Sequence, residues 1–171
     1  KLYLGLPLSL GSGEGERKDW PRPTLSATEA ARYGVTDWFG AAPLRDIPAD
    51  AALSAHFRAG EFMPKDGSYR YLRVAPELVE ALEEIRRRLG GRPITIHSGY
   101  RPPAYNARVG GAQHSTHLNG LAADISAAET STARLYEVAD QVIGEGGGVG
   151  YYPQQEFVHI DVRGSRARWT G

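Results

Sequence analysis

The chain has 171 residues, which is enough for one well-buried domain and short of a comfortable two. Its 20 basic residues balance 20 acidic ones, so the charge gives no indication of nucleic acid or an anionic membrane as a partner. The sequence contains no cysteine, which excludes disulfides, thiolate metal ligands and a thiol nucleophile. No apolar run approaches the roughly 20 residues that a membrane-spanning helix requires.

The first 52 residues are predicted to form an extended arm that packs on the core of the domain. Pro21 and Pro23 disfavour a helix in this arm. Residues 27–70 have an irregular pattern, with short helices expected at residues 27–33 and 53–57. The domain itself is predicted to span residues 53–171.

Two amphipathic helices and four strands are predicted in that domain. One helix spans residues 76–89 and begins at Pro76, which suits a first helical turn; the other starts near Ser131 and ends at Gly144. Short β-rich runs predict strands at residues 93–98, 121–125, 149–152 and 157–162. These elements indicate a single α+β domain with a small antiparallel sheet and helices packed on one side.

The last two strands place candidate metal ligands on one surface. Alternation along a strand puts His159 and Asp161 on the same face of the sheet, while Asp124 can lie on a neighbouring strand. His117 belongs to the loop that enters the strand of Asp124. Two imidazoles and a carboxylate are the usual ligands of a catalytic zinc with an open fourth position. Spacing alone also leaves open purely structural roles for these histidines.

A longer motif around these residues resembles a known family. The pattern Ser115-x-His117-x-x-Gly120-x-Ala122-x-Asp124, followed by His159-x-Asp161, is similar to the signature of the zinc D-alanyl-D-alanine carboxypeptidase family of cell-wall peptidases. The segments at residues 53–62, 98–102 and 147–153 resemble other parts of the same pattern. The resemblance covers roughly residues 53–169, whereas the first 50 residues match nothing recognisable.

This resemblance implies a role for each residue of the motif. His117, Asp124 and His159 would bind one zinc ion, and Ser115 would bind the ligand loop or the substrate. Arg101 would hold a carboxylate or carbonyl oxygen of the substrate, a task suited to its fork of donors.

Two acidic residues are candidates for the general base that the reaction needs. Glu156 lies three positions before His159, where members of the family commonly have an acidic residue. Asp161 is the alternative, but on the face of His159 it is better placed to orient a ligand imidazole.

The resemblance implies a zinc metallopeptidase that hydrolyses amide bonds in peptidoglycan peptides, as a D,D-carboxypeptidase or an endopeptidase. We expect a monomer located in the periplasm, in the cell envelope or outside the cell. Two alternatives are a non-catalytic zinc-binding domain of the same fold and a phage or secreted lysin whose arm serves targeting.

Overall fold

The computed structural model describes residues 28, 41, 43–68 and 71–171. Most of the predicted arm, including Pro21, Pro23 and its helix at residues 27–33 apart from residue 28, therefore lies outside the described residues. In chain order the elements are β1 (Pro43–Arg45), α1 (Ala59–Phe62), β2 (Tyr71–Arg73), α2 (Pro76–Arg88), β3 (Ile94–Ser98), α3 (Pro103–Arg108), β4 (Ala122–Ala127), α4 (Thr132–Ile143), β5 (Gly148–Tyr152), β6 (Phe157–Asp161) and β7 (Ala167–Thr170), with 3-10 helices at Thr116–Asn119 and Gly144–Gly146.

A five-stranded sheet with the order β3-β4-β6-β5-β7 forms the centre of the fold. All neighbours in it are antiparallel except β5 and β7, which run parallel. Strands β1 and β2 form a separate antiparallel pair. The predicted α+β class is confirmed. The sequence pattern missed the pair β1–β2 and the short edge strand β7, whose parallel pairing makes the larger sheet mixed.

The two faces of the five-stranded sheet differ in polarity. Ile125, Val158 and Ile160 point to one face and are fully buried together with the apolar residues of α2 and α4. The intervening positions of β4 and β6, Asp124, His159 and Asp161, therefore point to the opposite face. The helices pack on one side of the sheet, as predicted, and these three polar residues lie on the other side.

Both long helices begin and end where the sequence predicted. Pro76 occupies the first turn of α2, and Leu89 caps its end. The Ser131 side chain accepts a hydrogen bond from the backbone N–H of Arg134 and caps α4, which ends at Gly144.

The helix predicted at residues 53–57 is wrong, since this segment is a bend and α1 begins only at Ala59. Hydrogen bonds to α2 compete with helix formation in this segment. The Glu83 carboxylate accepts hydrogen bonds from the Ser54 hydroxyl and from the backbone N–H of His56. These bonds hold the bend against α2 and give its polar groups partners outside a helix.

The described part of the arm is joined to the rest of the domain. Leu44 in β1 is buried, and the backbone N–H of Ala41 donates to the carbonyl of Asn119 at 3.0 Å. The buried Arg73 in β2 donates from Nε to the carbonyl of Ala41 at 2.9 Å. A domain boundary at residue 52 stays a prediction. Within the described ranges, no helix combines the length and the apolar character needed to cross a membrane.

Candidate metal centre

Three elements bring His117, Asp124 and His159 together on the polar face of the sheet. Asp124 and His159 are direct partners across β4 and β6. His117 comes from the 3-10 helix Thr116–Asn119, which leads into β4. All three side chains are buried, and one potential ligand atom from each lies within 4.8 Å of the other two.

The spacing of these ligand atoms fits a tetrahedral metal ion. His117 Nε2 lies 3.3 Å from Asp124 Oδ1 and 3.3 Å from His159 Nδ1, and the last two atoms are 2.9 Å apart. In a tetrahedral zinc site with bonds of about 2.0–2.1 Å, neighbouring ligand atoms lie about 3.3 Å apart. The cluster therefore has the dimensions of a zinc site with three protein ligands.

In both imidazole rings, the N–H group points away from the cluster and donates a hydrogen bond. His117 Nδ1 lies 2.7 Å from the carbonyl of Gly99, and His159 Nε2 lies 3.0 Å from Asp161 Oδ2. A carbonyl and a carboxylate only accept hydrogen bonds, so these two nitrogens carry the hydrogens. In the neutral rings the other nitrogens direct their lone pairs toward Asp124. Two ring nitrogens and one carboxylate oxygen in mutual contact favour a cation between them.

Burial and neighbouring groups shift the pKa values of His117 and Asp124. Burial lowers the pKa of His117, which keeps this ring neutral. Burial would raise the pKa of Asp124, but the contacts of its carboxylate with the rings of His117 and His159 outweigh it and hold the pKa of this carboxyl well below its usual range. The cluster thus offers one carboxylate and a neutral imidazole at neutral pH.

Asp161 lies behind His159, on the side of the ring that faces away from the cluster. Its side chain is fully buried, and its Oδ1 accepts hydrogen bonds from the backbone N–H of Gly148 at 2.9 Å and from Arg163 Nε at 2.7 Å. Burial would raise the pKa of Asp161, but Arg163 and His159 outweigh it and lower the pKa. Asp161 was considered as a general base and as a residue that orients the His159 ring. Its position suits the second role.

Arg101 contacts the cluster through Asp124. Its Nη2 donates to Asp124 Oδ2 at 2.7 Å, and its Nε donates to Ser98 Oγ at 2.8 Å. Oδ2 is the carboxylate oxygen that does not face the histidines. Arg101 therefore holds the orientation of a candidate ligand, a contact that the sequence did not indicate.

The remaining two predicted site residues lie in the segments that precede His117 and His159. Ser115 caps the 3-10 helix of His117, where its hydroxyl accepts a hydrogen bond from the His117 backbone N–H at 3.3 Å. Glu156 lies in the exposed turn between β5 and β6 with a positive φ of 58°. Among the described residues it has no hydrogen-bond or ion-pair partner, which leaves its carboxylate in solvent.

Two residues of the site were missed by the sequence reasoning. The Trp169 indole lies 5.2 Å from the His159 ring, measured between centroids, and its Nε1 donates to the Tyr152 hydroxyl at 2.8 Å. Arg163 forms a two-pronged ion pair with Asp161. Trp169 lies on β7, so the alternation of that short strand was the available signal. Arg163 carries no signal beyond its position two residues after Asp161.

The region that contains this cluster matches a family model. The model describes Peptidase M15, and it matches residues 53–161, which is more than half of the chain and includes His117, Asp124 and His159. The chain belongs to the Peptidase M15 family. This membership agrees with the resemblance that the sequence motif indicated.

Several named proteins are similar to this M15 chain. The zinc D-Ala-D-Ala carboxypeptidase of Streptomyces albus G is 34% identical over 80 residues, which cover 46% of this chain and 31% of that protein. The peptidoglycan L,D-endopeptidase MepK of Escherichia coli K12 is 33% identical over 99 residues, covering 54% of this chain and 53% of MepK. A probable MepK from Haemophilus influenzae is 33% identical over 103 residues, which cover 56% of this chain and 54% of that protein. The chain spans about half or less of the length of these relatives.

Proposed function

We propose that the chain is a zinc peptidase that hydrolyses amide bonds in peptidoglycan peptides. The observation that carries this proposal is the convergence of His117 Nε2, Asp124 Oδ1 and His159 Nδ1 at tetrahedral spacing, with the ring hydrogens engaged elsewhere. Membership of the M15 family supports hydrolysis of a peptide bond. A bound zinc ion supplies Lewis-acid polarisation of the substrate carbonyl and activation of water.

The protein side chains hold this site in a fixed orientation. Gly99 and Asp161 accept the ring hydrogens of His117 and His159, which aims the opposite nitrogens of both rings at one point. Arg101 holds the outer oxygen of the Asp124 carboxylate. An arginine has five N–H donors, so Arg101 retains donors for a substrate oxygen while it holds Asp124.

The proposed general base is Glu156. Asp161 is poorly suited to this role because it is fully buried behind His159 and both of its oxygens accept hydrogen bonds. Glu156 precedes the strand of His159 and has a solvent-exposed carboxylate without a partner in the described structure. We propose that it takes a proton from water and delivers it to the leaving amine.

The proposed substrate follows from the named relatives. One is a zinc D-Ala-D-Ala carboxypeptidase, and the other two carry the name of a peptidoglycan L,D-endopeptidase. We infer that this chain acts on peptidoglycan peptides and works in the cell envelope or outside the cell. A carboxypeptidase would release one terminal residue, whereas an endopeptidase would cut within a stem or a cross-bridge.

Digestion of defined muropeptides, with the products weighed by mass spectrometry, tests the proposal and identifies the bond. We expect the zinc-loaded protein to split its substrate into two products whose masses sum to the substrate plus one water. The Glu156→Gln variant should bind one zinc per chain and cleave at least about 100-fold more slowly, the usual contribution of a general base.

Two results would contradict parts of this proposal. Muropeptides that remain intact with a stoichiometrically loaded protein would favour a non-catalytic zinc-binding domain. Full activity of Glu156→Gln, together with loss of activity in Asp161→Asn at unchanged zinc content, would transfer the role of base to Asp161.

A further inference from the structure

Arg163 forms an ion pair with the carboxylate that supports His159. Its Nε donates to Asp161 Oδ1 at 2.7 Å, and its Nη2 donates to Asp161 Oδ2 at 2.5 Å. The Arg163 side chain is 33% exposed, whereas that of Asp161 is fully buried. Both carboxylate oxygens are thus bound by one planar guanidinium, a geometry that fixes the plane of the carboxylate.

A glycine allows this ion pair to lie against the sheet. The backbone N–H of Gly148 donates to Asp161 Oδ1 at 2.9 Å. A Cβ at residue 148 would lie 2.3 Å from Asp161 Oδ2 and 3.0 Å from Arg163 Nη2, so a larger residue would displace both groups. With its plane fixed by Arg163 and Gly148, the carboxylate directs Oδ2 at His159 Nε2, 3.0 Å away.

Arg163 also contacts the aromatic residue that lies against His159. The guanidinium carbon lies 5.4 Å from the centroid of the Trp169 ring, within the range of a cation–π contact. The same indole lies 5.2 Å from the His159 ring. A Cβ at Gly150 would lie 2.6 Å from atoms of the indole, so this glycine provides the space for Trp169. Arg163 therefore contacts both groups that support the outer side of His159.

We propose that Arg163 is a positioning residue for the metal site and acts on His159 through Asp161 and Trp169. This inference rests on the proposed zinc site and extends it to a residue that contacts neither metal nor substrate. Without the guanidinium, Asp161 would be a buried carboxylate with one cationic partner fewer, and its plane could rotate. His159 would then hold its ring in the metal-binding orientation for a smaller fraction of the time.

Zinc affinity of the apoprotein, measured by competition with a chromophoric chelator, tests this inference without recourse to activity. We expect Arg163→Gln to weaken zinc binding about 10-fold, at the lower end of the effect of residues that orient a metal ligand. Arg163→Lys should weaken it less, since an ammonium keeps the charge and loses the planar fork. Arg166→Gln is the matched control, because Arg166 pairs with the exposed Glu145 at 3.3 Å and should leave the affinity unchanged.

A double-mutant cycle with Asp161→Asn tests whether the effect passes through Asp161. Arg163→Gln should add less than about 3-fold to the loss in an Asp161→Asn background, because coupled residues are not additive. The cobalt-loaded Arg163→Lys protein should show altered d–d absorption bands, which report the geometry around the metal. If Arg163→Gln fails to fold, as judged by circular dichroism, Arg163→Lys alone carries the test.

The possible outcomes separate this inference from the proposed function. A wild-type protein that binds no zinc would overturn the proposed function. A wild-type protein that binds zinc, with unchanged affinity and cobalt spectrum in the folded Arg163 variants, would overturn only the role of Arg163. Fully additive losses in the cycle would also overturn an action through Asp161.

Discussion

His159 uses both of its ring nitrogens, and each has a different task. Nε2 donates to the buried Asp161, while Nδ1 faces Asp124 and His117. Burial would lower the pKa of His159, but the neighbouring carboxylates of Asp124 and Asp161 outweigh it and raise the pKa. The ring is thus oriented by a carboxylate on one side and offers its lone pair, when neutral, to a cation on the other.

Glu156 combines an exposed carboxylate with an unfavourable backbone conformation. Its φ of 58° lies in the left-handed region, which costs a residue with a Cβ about 1–2 kcal/mol. Glu156→Gly should relieve this cost, partly offset by the larger entropy of glycine in the unfolded chain. We expect the free energy of unfolding to rise by up to about 1 kcal/mol while peptide hydrolysis is lost.

Chemical denaturation and a peptidase assay on the same Glu156→Gly preparation check this prediction. Wild-type activity would show that the carboxylate is dispensable for the reaction. A large loss of stability would instead indicate that Glu156 has a structural role in the turn. Glu156→Gln, which keeps the Cβ, serves as the control for the backbone effect.

At the scale of elements, the loop that carries His117 depends on a close approach to β2. Gly120 ends the 3-10 helix Thr116–Asn119 with a φ of 69°, and a Cβ there would lie 2.4 Å from the backbone carbonyl of Arg73. The backbone N–H of Ala75 donates to the carbonyl of Gly120 at 2.8 Å. The loop therefore packs directly against the end of β2 and the residues that follow it.

A pair of glycine substitutions isolates the effect of this close approach. Gly110 has a φ of 70° and nothing within 4 Å of the position of its Cβ, so Gly110→Ala should cost about 1 kcal/mol from backbone strain alone. Gly120→Ala adds the clash with Arg73 and should cost at least about 3 kcal/mol. Denaturant unfolding of both apoproteins measures the difference, and equal losses would show that the loop does not depend on this contact.

The alternation of side chains along single strands was readable from the sequence. It placed His159 and Asp161 on one face and Val158 and Ile160 on the other, as the structure has them, because strand periodicity is a local property. The contact of Arg101 with Asp124 was not readable. It depends on the register of β3 against β4, which shifts between Ile96 and Ser98. Such an irregularity leaves little trace in a single sequence.

At the scale of the whole molecule, the two faces of the five-stranded sheet have different roles: one belongs to the hydrophobic core and the other to the candidate metal site. One face is buried against α2 and α4, and the opposite face carries the candidate ligands and the side chains that orient them. This division explains why the fold class could be predicted from two amphipathic helices and a few alternating strands. Other parts that escaped prediction, β7 with Trp169 and the ion pair of Arg163 with Asp161, involve residues that lie after the last motif ends.

In the proposed function, His117, Asp124 and His159 hold one zinc ion on which peptide hydrolysis depends. The direct test is to add zinc in increments to the apoprotein and to measure the rate of muropeptide cleavage at each step. We expect the rate to rise in proportion to the added zinc and to level off at one zinc per chain, with no cleavage by Asp124→Ala at that stoichiometry. Cleavage at full rate before zinc is added, or no cleavage with one zinc bound per chain, would contradict the claim.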